Sequence, residues 1–347
     1  MLIMDNIFGG IMNNTNMKSL LTEYDYKRRA AIRDLEERKA SLYLLCPELE
    51  NIEKEISNVS IRNGIAILKA SSEEKEKIAL QLKLKLEKLK NEKLLILKKL
   101  GKSEDYLEPF FECKICKDTG FILENGKTSL CGCLKQKLYN LEFNKSNLSN
   151  LEKDTFENFN LNLYSSEINK EKYHSDISPK QNILIIKNIC QNFINNFDNP
   201  NEKNLLFTGN TGLGKTFLSS CIANELLKSG KTVLYQTAPV MFDTIIDYRF
   251  NKQNCNFNII DNLLNVDLLV IDDLGTETMN NMKFTELFNI INSRLLNQNN
   301  KITKTIISTN LSLKNIFDTY EERIVSRFVG HYHICRFFGE DIRFKQK

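Results

Sequence analysis

The stretch that most constrains this chain is Gly209, Asn210, Thr211, Gly212, Leu213, Gly214, Lys215 and Thr216, which spells G-x-x-x-x-G-K-T. It follows a short apolar run, Asn204 to Thr208, that reads as a buried strand. It precedes a run from Phe217 to Lys228 that reads as a helix ending at Gly230. Strand, glycine loop and helix in that order form a phosphate-binding loop. Glycines let backbone N–H groups turn inward around phosphate oxygens, and the helix N-terminus adds the positive end of its dipole. The loop residues, with Phe217 behind them, are the expected nucleotide contacts. Lys215 is placed to reach the β- and γ-phosphates, and the Thr216 hydroxyl to ligate Mg²⁺.

A second acidic signal supplies what the loop lacks. Asp267 to Asp273 is an apolar run ending in two carboxylates. A buried strand ending at Asp272 would bring a carboxylate beside the Mg²⁺ held by Thr216, and Asp273 could then orient the attacking water. Lys304 to Asn310 reads as a further strand, between the P-loop strand and the acidic one. Its terminal Asn310 either polarises the water or γ-phosphate or simply forms a turn. Thr232–Thr237 and His333–Phe338 also read as strands, and Val240–Phe250 and Phe284–Asn297 as helices. Strands alternating with helices predict an α/β fold, a parallel sheet flanked by helices. Ser178, Pro179 and Gln181 carry the signature of a capped helix start.

Ahead of this domain the pattern is helical. From Lys18 to Leu45, Leu21, Tyr24, Ala31, Leu35, Leu42 and Leu45 fall near one face, with Asp25/Arg29 and Asp34/Arg38 spaced for ion pairs. Pro47 breaks the run, and a second helix is expected over Glu48–Ala70. Ser71 and Glu74 then read as a capping box opening a long helix to Leu100. The alternation Leu82-Lys-Leu-Lys-Leu86 imitates a strand, but Leu, Lys and Glu favour helix. Leucines on more than one face suit an α-helical hairpin, an ordinary bundle or a partner-binding surface.

Nine cysteines include one cluster: Cys113, Cys116, Cys131 and Cys133, flanking the hairpin signal Asn125-Gly126. Four thiolates so arranged can hold one tetrahedral zinc in a small module with little core. Free thiols, a redox pair and an iron–sulfur cluster are the alternatives. The other five cysteines stand singly in apolar runs, as core residues do. An odd count and a polar N-terminus without a signal-peptide pattern lead to the expectation of a reducing cytoplasm. With no run of about 18 apolar residues, no membrane-spanning helix is expected. The net charge of +4 allows a nucleic-acid partner without requiring one. The expected organisation is a tail (1–17), a helical region (18–105), a zinc-binding module (106–140), a linker (141–177) with the aromatic island Phe156–Phe159, and the nucleotide domain (178–347).

Gly209–Thr216, Asp272–Glu277, Ser308–Asn310, Glu322–Arg327 and Phe338–Arg343, with the cysteine segment ahead of them, together resemble the DnaC/DnaI family of bacterial replicative helicase loaders, a branch of the AAA+ ATPases. The resemblance covers nearly the whole chain from about residue 18. It implies that Lys215 and Thr216 are Walker A, Asp272 and Asp273 Walker B, Asn310 sensor 1 and Arg343 sensor 2. Arg327 would be an arginine finger acting on an adjacent subunit; from spacing alone, Arg323 and Arg327 form only a solvated basic helix face. The family likeness further implies ATP, Mg²⁺ and Zn²⁺ as cofactors, a hexameric replicative DNA helicase gripped by the helical and zinc regions, single-stranded DNA, and assembly of several copies on the helicase. Tyr248, Arg249 and Phe250 fall where loaders contact single-stranded DNA, and an aromatic beside an arginine suits a stacked base and its phosphate. Asp273 departs from the glutamate that many AAA+ proteins carry there. A transposition helper ATPase of the IstB type, which shares this core, is the alternative; such helpers generally lack the helical and cysteine segments. A nucleotide-gated adaptor that hardly hydrolyses ATP is a third reading.

Overall fold

The computed structural model describes residues 15–69, 72–124, 126–142, 153–250, 259–278, 280–296 and 301–345. Ser71 of the expected cap, the turn residue Asn125 and Cys255 lie outside them, as do residues 1–14 of the expected tail. The chain divides into two compact units, one of residues 21–120 and one of residues 1–20 with 121–347. Among the described residues no helix is long and apolar enough to cross a membrane.

The smaller unit is built on three helices, α1 (Thr15–Leu45), α2 (Pro47–Lys69) and α3 (Ser72–Lys99). Pro47 opens α2 rather than merely ending α1, since a first-turn proline lacks only an N–H that the helix would not use. Two apolar clusters join the helices: Leu42, Leu49 and Leu97 with Leu107, and Ile52, Val59 and Leu89. Leu82 and Leu86 pack against the second cluster, whereas Leu80, Leu84 and Leu95 are exposed, so the leucines of α3 do divide between two faces. Glu53 on α2 ties all three helices: it accepts from Lys39 at 2.7 Å and Lys93 at 2.6 Å, and from the Tyr43 hydroxyl. Burial alone would raise its pKa, but these donors outweigh it and hold the carboxyl at about 2.

In the larger unit, β1 (Phe121–Glu124) and β2 (Lys127–Leu130) form the expected antiparallel hairpin. Next comes α4 (Gly132–Glu142), a helix that the sequence reading did not separate from the polar stretch. Then follow the short α5 (Lys170–Tyr173) and α6 (Pro179–Asn195), the latter with the full Ser178/Gln181 capping box. The P-loop strand β3 (Asn204–Thr208) and helix α7 (Lys215–Lys228) are succeeded by β4 (Val233–Thr237), α8 (Ala238–Phe250), α9 (Ile259–Asn265) and β5 (Leu268–Leu274). The order is completed by α10 (Asn281–Leu296), β6 (Lys304–Thr309), α11 (Leu313–Thr319), α12 (Glu322–His331) and β7 (Tyr332–Arg336).

The five strands β4-β5-β6-β3-β7 pair in parallel, in that spatial order. Alternation along each strand sends side chains to two cores. Leu206, Leu269, Ile271 and Ile307 pack with α8 to α12, whereas Leu205, Phe207, Val270 and Ile306 pack with α6 and α7. Both faces are therefore covered, which accounts for the nearly unbroken apolar sequence of β3 and β5. The outer strand β4 is met by a side chain acting as a peptide group: Gln136 of α4 donates to Val233 O at 2.9 Å and accepts from Val233 N at 2.7 Å. Tyr139, one turn on, lies in the core under α8 to α12, which fixes α4 to this sheet edge.

Candidate nucleotide-binding site

The P-loop runs from the end of β3 into the first turn of α7. Gly214 is the helix N-cap, with φ 90°, and no side chain caps the helix start. The first-turn N–H groups are thus left for an anionic group, as a phosphate site requires. At Gly214 an added Cβ would stand 2.6 Å from the Tyr164 hydroxyl, and at Gly212 it would fall 2.1 Å from the Asp341 carboxyl carbon. Both residues hold positive φ, 71° at Gly212 and 90° at Gly214, which glycine adopts without strain.

Lys215 is almost fully buried and folds back onto the loop. Its Nζ donates to Gly209 O at 2.6 Å, Asn210 O at 2.7 Å and Asn310 Oδ1 at 2.8 Å. Burial pushes its pKa down to about 8 against the opposing pull of Asp273 and Asp272. Asn310 follows the last residue of β6, adjacent to the P-loop strand in the sheet, as expected. Asp272 lies on β5, which continues through both acids to Leu274 instead of stopping at Asp272. Its carboxylate accepts from Thr216 Oγ1 at 3.4 Å, from Tyr235 at 2.8 Å and from Ser308 Oγ. Asp273 sits at a shift in the β5–β6 register with φ 56°, a left-handed conformation that aspartate tolerates better than most residues. Burial and the neighbouring Asp272 raise its pKa.

These residues border a cleft of about 750 Å³, in which Thr211 to Phe217 meet Asp273, Asn310 and Arg343. The volume suits a nucleotide-sized ligand. The paired oxygens of Thr216 and Asp272 are hard donors of the kind Mg²⁺ takes. Arg343 reaches the cleft from the C-terminal 3₁₀ turn and is paired with Asp341 through Nε at 2.9 Å. Arg327 stands apart from the cleft lining; it packs on Phe288 and donates to Asn292 at 3.2 Å.

The opposite wall was not legible as a site. Phe159 and Tyr164 stack at 6.1 Å, Phe159 approaches Phe217 at 6.2 Å, and Tyr164 donates to Leu213 O at 3.1 Å. Asn158, Phe159, Asn160 and Tyr164 all line the cleft, although they belong to the stretch expected to be a linker. The aromatic island Phe156–Phe159 was the available signal. Tyr248, Arg249 and Phe250 occupy the last turn of α8, within the helix expected over Val240–Phe250. Arg249 is engaged by Glu286 at 2.8 Å, while Phe250 is exposed.

Away from the cleft, the sulfurs of Cys113, Cys116, Cys131 and Cys133 lie within 4.8 Å of one another. Four zinc–sulfur bonds of about 2.3 Å place tetrahedral ligands roughly 3.8 Å apart, so the set fits zinc. Gly120 N donates to Cys116 Sγ at 3.3 Å, and Asp118 holds the backbone of the first pair by accepting from Glu112 N and Cys113 N at 2.9 and 2.8 Å.

A family model for IstB-like ATP binding protein matches residues 175–347. The replicative helicase loader DnaC of Escherichia coli K12 is 29% identical over 157 residues, 45% of this chain and 61% of that protein. A putative insertion sequence ATP-binding protein of Sinorhizobium fredii is 27% identical over 149 residues, 42% of this chain and 58% of that protein. The chain thus spans about three fifths of the length of these curated relatives. A crystal structure of the DnaC helicase loader aligns with 49% of this chain and 96% of its own at 25% identity and a TM-score of 0.39. Residues 175–347 thus form an IstB-like ATP-binding domain.

Proposed function

We propose that this protein is an ATP-dependent loader of a hexameric replicative DNA helicase onto single-stranded DNA. The observation that carries the reading is the similarity to DnaC proteins, joined to a three-helix unit and a four-cysteine cluster ahead of the nucleotide cleft. The helical and cysteine segments grip the helicase, and the cleft times the grip.

In the cleft, Lys215 exchanges its bonds to Gly209 O and Asn210 O for the β- and γ-phosphates, and the uncapped start of α7 receives phosphate oxygens. Thr216 and Asp272 would hold Mg²⁺, Asp273 would orient water, and Asn310 would hold Lys215 and the water in line. Bound Mg²⁺ supplies charge neutralisation on the phosphate oxygens. Arg343 stabilises the γ-phosphate from the same chain and Arg327 from the next, in an assembly of several copies on the helicase. Phe159, Tyr164 and Phe217 offer an aromatic wall for the base. Tyr248, Arg249 and Phe250 contact the DNA strand.

The relative among insertion-sequence ATP-binding proteins supports the alternative of a transposition helper. Affinity capture from the native cell with the full chain as bait separates the two. Recovery of a hexameric helicase is the expected result, and recovery of a transposase in its place would overturn the choice.

A further inference from the structure

The carboxylate of Asp272 is held from both neighbouring strands. On one side the Tyr235 hydroxyl of β4 donates to Oδ2 at 2.8 Å. On the other, Ser308 of β6 donates to Oδ1, the same oxygen that faces the Thr216 hydroxyl at 3.4 Å. All three of Tyr235, Ser308 and Asp272 are buried. The ring of Tyr235 packs in the core under α6 and α7 beside Val233, where phenylalanine would fill the same volume. Its hydroxyl is therefore not required by packing, and burying it is costly unless it is bonded. It donates to the proposed metal ligand.

A carboxylate rotates easily about its terminal torsion, whose energy wells are broad. Two donors on different oxygens fix its plane. We infer that Tyr235 is a positioning residue: by holding Oδ2 it keeps Oδ1 of Asp272 presented beside the Thr216 hydroxyl, in the orientation that Mg²⁺–nucleotide binding uses. This rests on the Mg²⁺–ATP reading of the cleft. Outer-shell partners of metal ligands typically change metal affinity by about 10–100-fold when removed.

The test is Tyr235→Phe in the full chain, with the affinity for a fluorescent ATP analogue followed across a Mg²⁺ titration and in EDTA. The expected result is unchanged affinity in EDTA and a Mg²⁺ requirement raised about tenfold or more. In an Asp272→Ala background the same substitution should add no further shift, since its effect passes through that carboxylate. A Mg²⁺ titration identical to the wild type, or an equal shift in the Asp272→Ala background, would overturn the inference. If Tyr235→Phe proves too unstable to titrate, Ser308→Ala frees the other oxygen and should raise the Mg²⁺ requirement in the same direction; an unchanged requirement there would count against the inference equally. A wild-type protein whose nucleotide affinity ignores Mg²⁺ would remove the reading of the cleft itself, a failure distinct from that of Tyr235 alone.

Discussion

Lys215 Nζ donates to Asn310 Oδ1 at 2.8 Å, which links the first turn of the P-loop helix to the end of the neighbouring strand β6. Two residues 95 positions apart are thereby brought to one wall of the cleft. The lysine is buried among oxygen acceptors with a lowered pKa, so a phosphate entering the loop replaces bonds to neutral carbonyls with a bond to an anion.

Lys215→Ala is accordingly expected to weaken ATP binding by at least about tenfold, the scale of one lost hydrogen bond between charged groups. Asp272→Asn should still bind nucleotide at saturating Mg²⁺ but need more Mg²⁺ to do so, and should lower turnover by on the order of a hundredfold, because the amide is a poor metal ligand. Isothermal titration and phosphate release measure the two. Wild-type turnover in Asp272→Asn would contradict its assignment.

The cysteine cluster predicts about one zinc per chain by elemental analysis. Cys131→Ser is expected to lose the metal and loosen the hairpin β1–β2, with nucleotide binding retained. Metal-free protein with an unchanged melting profile for this segment would refute the zinc assignment.

Much of this architecture was legible in advance because its signals are local. The P-loop, the Ser178/Gln181 cap and the apolar strands β3, β5 and β6 each follow from residues next to one another. What escaped was set by contacts across the chain. Tyr164 reads as one tyrosine in a polar stretch until its hydroxyl is found on Leu213 O, 49 positions away. Gln136 reads as one more polar residue until its amide pairs with Val233 at the sheet edge. The short helices α9 and α11 carry too few turns for periodicity to declare them. Arg327 shows the converse: its motif is clear, but within one chain its partners are Asn292 and Phe288.

Glu53 gives a pH signature for the helical unit. Its folded pKa, about 2, lies below that of an ordinary glutamate, so the stabilisation is complete above about pH 4.5 and is lost as the pH falls toward 2. Glu53→Gln should lower the melting temperature at pH 7, and the gap from wild type should shrink across that window. A gap independent of pH would show that the ion network around Glu53 contributes nothing.

Arg327 is expected to act on the nucleotide of the next subunit. Arg327→Ala should fold and bind ATP yet lose stimulated hydrolysis, since an arginine given in trans contributes about 10³–10⁵ in rate. Mixing it with Lys215→Ala should restore part of the activity, because one variant offers a sound P-loop and the other a sound finger. Arg327→Ala that hydrolyses ATP like the wild type in the presence of DNA and helicase would leave the residue as a surface cation packed on Phe288.

The most direct measurement of the loading claim is transfer of the cell's replicative helicase onto closed circular single-stranded DNA, which a ring cannot thread unaided. With the wild-type protein and ATP, the helicase should remain on the circle after gel filtration, and with Lys215→Ala it should not. Equal helicase retention with and without the protein would contradict the account.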